Sequence, residues 1–130
     1  MKRPGRKGRA DPLRRAAATQ RRAARAGFDW PAGDPAVWRK LHEEIRELKA
    51  VAHRRAQARD ELGDLLFMAV NLARHLKVDA GRALDQAVRK FERRYAHVIA
   101  SARSLPRKGD PRRLARMEAL WQDAKRREGR

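Results

Sequence analysis

Apolar residues in this chain recur at spacings of three and four, and that pattern restricts the fold to packed helices. Val37, Leu41, Ile45, Leu48 and Ala52 form one such stripe, and Leu84, Val88, Phe91, Tyr95 and Val98 form another. No stretch shows the period of two expected of a half-buried strand, and no segment repeats. The punctuation agrees with helices. An Ala- and Arg-rich segment over residues 12–26 reads as a first helix stopped at Gly27. The segment GFDWPAGDP at 27–35 reads as a loop. Asp34-Pro35 is an N-cap followed by proline in the first turn, and the second helix runs from there to about residue 55. A third helix spans residues 60–75. Asp79 caps a fourth, and Asp110-Pro111 repeats the cap signature before a fifth that bears Leu114, Met117, Trp121 and Ala124. The expected architecture is all-α: a helical bundle of about five helices with a four-helix core.

A chain of 130 residues suffices for one domain with a modest core. The expected organisation is a basic tail over residues 1–10, too polar to fold, and a single helical domain over 11–130. The third helix is apolar over more than half its circumference, which predicts a bundle completed by dimerisation. Charge is lopsided: 34 Lys and Arg against 16 Asp and Glu give a net +18. Such a balance attracts polyanions, and weak binding of nucleic acid by the basic tail, without sequence preference, is expected. With no cysteine, disulfides and thiolate metal sites are excluded. No apolar run reaches the roughly 20 residues of a membrane helix, and the basic N-terminus lacks the apolar core of a secretory signal. A cytoplasmic location is the default expectation, with no membrane partner.

Two helices carry acids beside their apolar stripes. At ~100° per residue, with Leu41 as the middle of the second helix's stripe, Glu44 lies about 60° away and Glu47 about 120° on the same side. Glu43 lies ~160° off, on the far side. On the third helix Glu61, Asp64, Met68, Asn71 and His75 share a sector roughly 80° wide. If the two helices pack antiparallel, Glu44 and Glu47 face Glu61 and Asp64. Four carboxylates that close repel one another unless a cation lies between them. All-oxygen ligation suits Mg²⁺, or Mn²⁺, with positions left for water and phosphate. On spacing alone, solvated faces held by pairs such as Lys40–Glu44 are the commoner outcome for Glu-rich helices. His75 then simply ends a helix, and Asn71 bonds a neighbouring one.

The pattern Glu43-Glu44-x-x-Glu47 followed by Glu61-x-x-Asp64 resembles the EExxE…ExxD signature of MazG-type nucleotide pyrophosphohydrolases. RAARAGFDWP (22–31), DELGDLLFMAVNLARHL (60–76) and KFERRY (90–95) are similar to the C-terminal catalytic domain of that family's two-domain members. The similarity runs over about residues 12–126. It implies an α-helical homodimer that hydrolyses nucleoside triphosphates to the monophosphate and pyrophosphate with Mg²⁺, as in house-cleaning of the nucleotide pool. By motif, Glu44, Glu47, Glu61 and Asp64 are the implied metal ligands and Glu43 a secondary acid. Lys90, Arg94, Trp121 and Lys125 fall where the family binds its nucleotide: cations for phosphate oxygens, an indole for base or ribose. Ala17 and Val88 depart from the residues expected there, Gln and Asn, and bear on the nucleotide pocket. The alternative reading is a catalytically degenerate member of the family that binds nucleotide or nucleic acid without turnover.

Overall fold

A computed structural model of the chain describes residues 11–129, so the expectation of an unfolded basic tail over residues 1–10 lies outside the described residues. Five α-helices follow one another: α1 (Pro12–Arg25), α2 (Ala36–Val51), α3 (Arg55–His75), α4 (Ala80–Ile99) and α5 (Pro111–Glu128), with a short 3₁₀ turn at Ala102–Ser104. No strand occurs among the described residues, and the all-α expectation holds. The caps at Asp34, Asp79 and Asp110 lie where the sequence puts them, and Asp11 adds a fourth at the start of α1. Asp11, Asp34, Asp79 and Asp110 each accept a hydrogen bond from a backbone N–H two or three residues on, satisfying an orphan donor of the first turn.

Two helix boundaries differ from the sequence expectation. Helix α2 ends at Val51 rather than near residue 55, and α3 begins at Arg55, five residues before the expected start. The chain reverses within Ala52–Arg54, where Arg54 is extended (φ −111°, ψ 101°) and its N–H reaches Val51 O at 2.8 Å. The turn holds no glycine or proline, so its sequence carries no stop signal. Tertiary packing sets it: a three-residue connection folds α3 back along α2 as an antiparallel hairpin.

The chain divides into two compact units, one ending at Ala83 and one starting at Leu84. In the first, α2 and α3 pack along each other and α1 lies against α3. Val37, Met68 and Val70 are buried there. Gln20 of α1 donates through Nε2 to Phe67 O of α3 at 2.8 Å, a polar stitch between the two helices. In the second, α4 and α5 meet through the Phe91 and Trp121 rings, 5.2 Å apart, with Val98 and Ala124 buried.

Both α1 and α3 end in the same motif. Past α1, Phe28 N–H bonds Ala23 O and Gly27 N–H bonds Ala24 O, with Gly27 left-handed at φ 89°. Past α3, Val78 N–H bonds Ala73 O and Lys77 N–H bonds Arg74 O, with Lys77 left-handed at φ 58°. A side chain in that conformation costs about 1 kcal/mol or more, and glycine does not bear that cost. Lys77→Gly therefore stabilises the protein by up to about 1 kcal/mol, read as a higher urea midpoint at unchanged slope. A lower midpoint contradicts the assignment.

Candidate functional site

Helix α2 turns its Val37–Glu44 line inward. The two residues are seven apart, nearly two full turns, and both are almost fully buried, while Leu41 is only half-buried. The buried face is thus rotated by roughly 50° from the stripe centred on Leu41. Glu44 lies at its middle, and Glu43 stands nearer the acidic edge than the wheel suggests. Across the hairpin, Glu44 meets Glu61 and Asp64, and one carboxylate oxygen from each lies within 4.8 Å of the others. The i, i+3 spacing of Glu61 and Asp64 aims both at α2 from one face of α3.

The electrostatics are those of an acidic cluster only partly neutralised. Lys40 Nζ reaches Glu44 Oε1 at 3.1 Å and Glu43 Oε2 at 3.5 Å, and these contacts, the Glu44 hydrogen bond first, raise the lysine's pKa. The second oxygen of Glu44 and one oxygen of Glu61 are buried without a hydrogen-bond partner among the described residues. A buried carboxylate oxygen with no donor is costly, and a divalent cation is the partner that satisfies several at once. Glu47, the fourth acid of the motif, is exposed. Its carboxyl is pushed up by desolvation, then by the charges of Glu44, Glu61 and Glu43, so it feels the cluster without belonging to its closest set.

A cavity of about 620 Å³ opens beside the acids. Lys40, Glu44 and Asp64 lie along it together with Gln20 of α1, Phe28 and Trp30 of the loop, and Asn71 of α3. The loop is held to α3 by Asp29, which accepts from Arg74 Nη2 at 2.7 Å and Nη1 at 2.9 Å, with His75 Nε2 at 2.9 Å. The Arg74 guanidinium is the main reason the Asp29 carboxyl drops to about 2, with His75 adding to it. His75 thus ends α3, as its position suggests, and also fastens the loop. Asn71 Oδ1 accepts from Arg74 of its own helix at 2.9 Å, not from a neighbouring helix. Gln20, Asp29, Trp30 and Arg74 were not distinguishable in sequence as site residues, because only the fold brings α1 and the loop onto α3.

The remaining sequence candidates lie in the second unit. Arg94 sits over the Trp121 ring, 5.5 Å from its centroid, and bonds Glu128 Oε2 at 3.0 Å. Trp121 is half-buried against Phe91, whereas Lys90 and Lys125 are exposed. Arg94 and Trp121 are thus brought together, and the two lysines make no ion pair among the described residues. Ala17 lies outside the cavity beside the acids.

Residues 35–99 match the model of the MazG nucleotide pyrophosphohydrolase domain. Over 122 residues the chain is 45% identical to the nucleoside triphosphate pyrophosphohydrolase of Escherichia coli strain K12, covering 89% of this chain and 45% of that protein. Over 77 residues it is 47% identical to the nucleoside triphosphate pyrophosphohydrolase/pyrophosphatase MazG of Thermotoga maritima, covering 58% of this chain and 29% of that protein. The chain thus spans less than half the length of these curated relatives.

The mutual repulsion of the acids has a measurable consequence. Without divalent cations, Glu61→Gln or Asp64→Asn raises the melting midpoint by a few degrees, because each removes a like charge from the cluster. The rise on adding a divalent cation shrinks in both variants. A drop in the midpoint in EDTA for both would show that the acids are not under strain.

Proposed function

This chain belongs to the MazG nucleotide pyrophosphohydrolase family, and from that premise we propose that it hydrolyses nucleoside triphosphates to the monophosphate and pyrophosphate with Mg²⁺ as cofactor, Mn²⁺ being a substitute. The observation that carries this reading is the convergence of Glu44, Glu61 and Asp64 across the α2–α3 hairpin, with unpartnered buried oxygens on two of them. Those three acids and Glu47 hold the cation. When bound, Mg²⁺ supplies charge to offset the triphosphate and acidity to the water it carries.

The protein's own residues do the rest. Lys40, already drawn to the cluster by Glu44, lies along the cavity and is placed to donate to a phosphate oxygen entering there. Glu43, on the edge of the cluster, serves as a secondary acid that accepts a proton from water. Burial of Glu44 beside an apolar cavity lowers the dielectric around it, which strengthens its interaction with Lys40. Lys90, Arg94, Trp121 and Lys125 are assigned to substrate binding from the family resemblance: the cations to phosphate oxygens, the indole face to the sugar or base.

A second copy completes the fold in this reading. Leu62, Leu66 and Phe67 on α3, and Leu84, Val88 and Phe91 on α4, are each about half exposed, more apolar surface than a monomer of this size leaves open. A homodimer with residues 11–130 as the domain accounts for it.

With purified protein, the expected products are monophosphate and pyrophosphate in equal amounts, formed only with Mg²⁺ or Mn²⁺. Glu61→Ala and Asp64→Ala lower kcat by about 10²-fold or more through loss of the cation. Release of single orthophosphate, or full activity in EDTA, refutes the reading. Nucleotide bound tightly without turnover makes the protein a non-catalytic member of the family. Light scattering at micromolar concentration returns the mass of a dimer, and a monomer mass under those conditions contradicts the proposed assembly.

A further inference from the structure

Helix α1 packs one side against α3 and turns five arginines outward on the other. At ~100° per residue, Arg14, Arg15, Arg21, Arg22 and Arg25 share a sector about 120° wide. The middle of that sector lies roughly opposite Gln20, whose amide fixes α1 on α3. All five arginines are exposed, and the helix contains no acid. None of them forms an ion pair among the described residues, whereas Arg89, Arg94 and Arg127 of α4 and α5 pair with Asp85, Glu128 and Asp123. Their side chains make two long hydrogen bonds, Arg22 to Thr19 Oγ1 and Arg25 to Arg21 O, both at 3.4 Å. The stability of the helix does not call for this arrangement. Arg21 and Arg25 are like charges four residues apart, and Arg14 and Arg15 stand near the N-terminal end, where the helix dipole disfavours cations.

A groove of about 630 Å³ runs beside these arginines, between α1 and the end of α3 with the turn that follows it. Arg14, Arg15, Arg21 and Arg22 line it, and Ala17 and Ala18 leave no long side chain between them. Its one acid is Asp79, whose carboxylate already accepts from the Arg82 N–H at 2.9 Å. We propose that the arginine face of α1 and this groove bind the phosphate backbone of duplex nucleic acid, without regard to sequence. The guanidinium fork matches phosphate oxygens. Arg14 to Arg25 spans about 16 Å of helix, over which one strand of a duplex passes about five phosphates at ~3.4 Å per step. A single strand is bound by stacking its bases on aromatic rings, and neither α1 nor the groove lining has one. Lying on a membrane needs a free apolar side, and that side of α1 is against α3. The arginine face also points away from the cavity beside the acids, to which α1 contributes Gln20 and Ala23. A bound duplex therefore leaves that cavity open, and the inference does not depend on hydrolysis. Unlike the basic segment over residues 1–10, this surface carries its charges at a set spacing along a helix.

Fluorescence anisotropy on the full chain, with a labelled DNA duplex of about 20 base pairs at low salt, compares two charge-matched variants. Arg14→Gln/Arg21→Gln/Arg25→Gln neutralises the face of α1, and Arg103→Gln/Arg107→Gln/Arg116→Gln removes the same charge from exposed arginines elsewhere. The α1 variant weakens duplex binding by about tenfold or more and flattens the slope of log affinity against log salt by about 2.7, three lost contacts at ~0.9 each. The control variant changes the affinity by less than about threefold. A single strand of the same length binds the wild type more weakly than the duplex does. Equal losses in the two variants overturn the proposal, because net charge alone then accounts for binding, and so does a single strand bound more tightly. If the α1 variant loses binding to phosphatidylserine vesicles but keeps the duplex, the face belongs to a membrane and the proposal falls. Should the α1 variant lose its helical circular dichroism, modification of wild-type arginines by phenylglyoxal decides. The duplex protects Arg14, Arg21 and Arg25 and leaves Arg103, Arg107 and Arg116 reactive, and a duplex that does not distinguish the two sets refutes the surface.

Discussion

Glu44 is the residue on which the rest of the arrangement depends. A carboxylate at the centre of a buried helix face is tolerated only if its surroundings neutralise it. Lys40 does half of this, four residues earlier on the same helix, and takes one oxygen. The other has no hydrogen-bond partner among the described residues, and Glu61 and Asp64 across the hairpin add charge of the same sign. The α2–α3 hairpin therefore closes against electrostatic repulsion, with Val37, Met68 and Val70 supplying the apolar burial that opposes it. On the metal-dependent reading proposed above, a cation among these acids would cross-link the two helices.

Much of this was legible in the sequence, for identifiable reasons. Capping aspartates, the glycine at position 27 and the stripe periodicity are local signals, and the helix starts at Pro12, Ala36, Ala80 and Pro111 follow from them. The acids were singled out by the resemblance of Glu43-Glu44-x-x-Glu47 and Glu61-x-x-Asp64 to a family motif, since spacing alone favoured solvated faces, and the fold brings Glu44, Glu61 and Asp64 of that set together. What sequence could not fix was the rotation of α2. Taking Leu41 as the centre put Glu44 at the border of the buried face, whereas packing against α3 moves Glu44 to the middle and leaves Leu41 half-buried. The turn at Ala52–Arg54 was hidden for a related reason. Its residues are ordinary helix formers, and only the need to face α2 breaks the helix there.

The loop between α1 and α2 shows how a short irregular segment acquires a defined position. Gly27 reverses the chain out of α1, which brings Asp29 onto the end of α3 while Phe28 stays largely exposed. Asp29 then bonds the Arg74 guanidinium in a fork-to-fork pair, with His75 on the same carboxylate. Arg74 also holds Asn71, so one guanidinium fixes both the loop and a polar group of the cavity wall. The sequence pattern marks these residues as a turn followed by a helix end. Their common role depends on a contact across 45 residues of chain that no local signal encodes.

Two carboxyls of the first unit, Asp29 and Glu47, are displaced in opposite directions, and the signs separate their roles. Asp29 is held down to about 2 by Arg74, so the stability its clamp contributes is present above the ordinary carboxylate value near 3.8 and is lost only as pH falls toward 2. Glu47 is pushed up from 4.5 by desolvation and by its acidic neighbours, so the folded protein favours its protonated form and is penalised once it ionises. On acidification Glu47 therefore takes up its proton while the clamp is still charged. On the reading proposed above, in which Glu47 helps to hold a cation, protons compete for its oxygens, so mild acid would weaken cation binding before it loosens the cavity wall. The architecture thus divides the work. The loop clamp is an ion pair that shapes the cavity, and the hairpin acids carry a charge that Lys40 balances only in part.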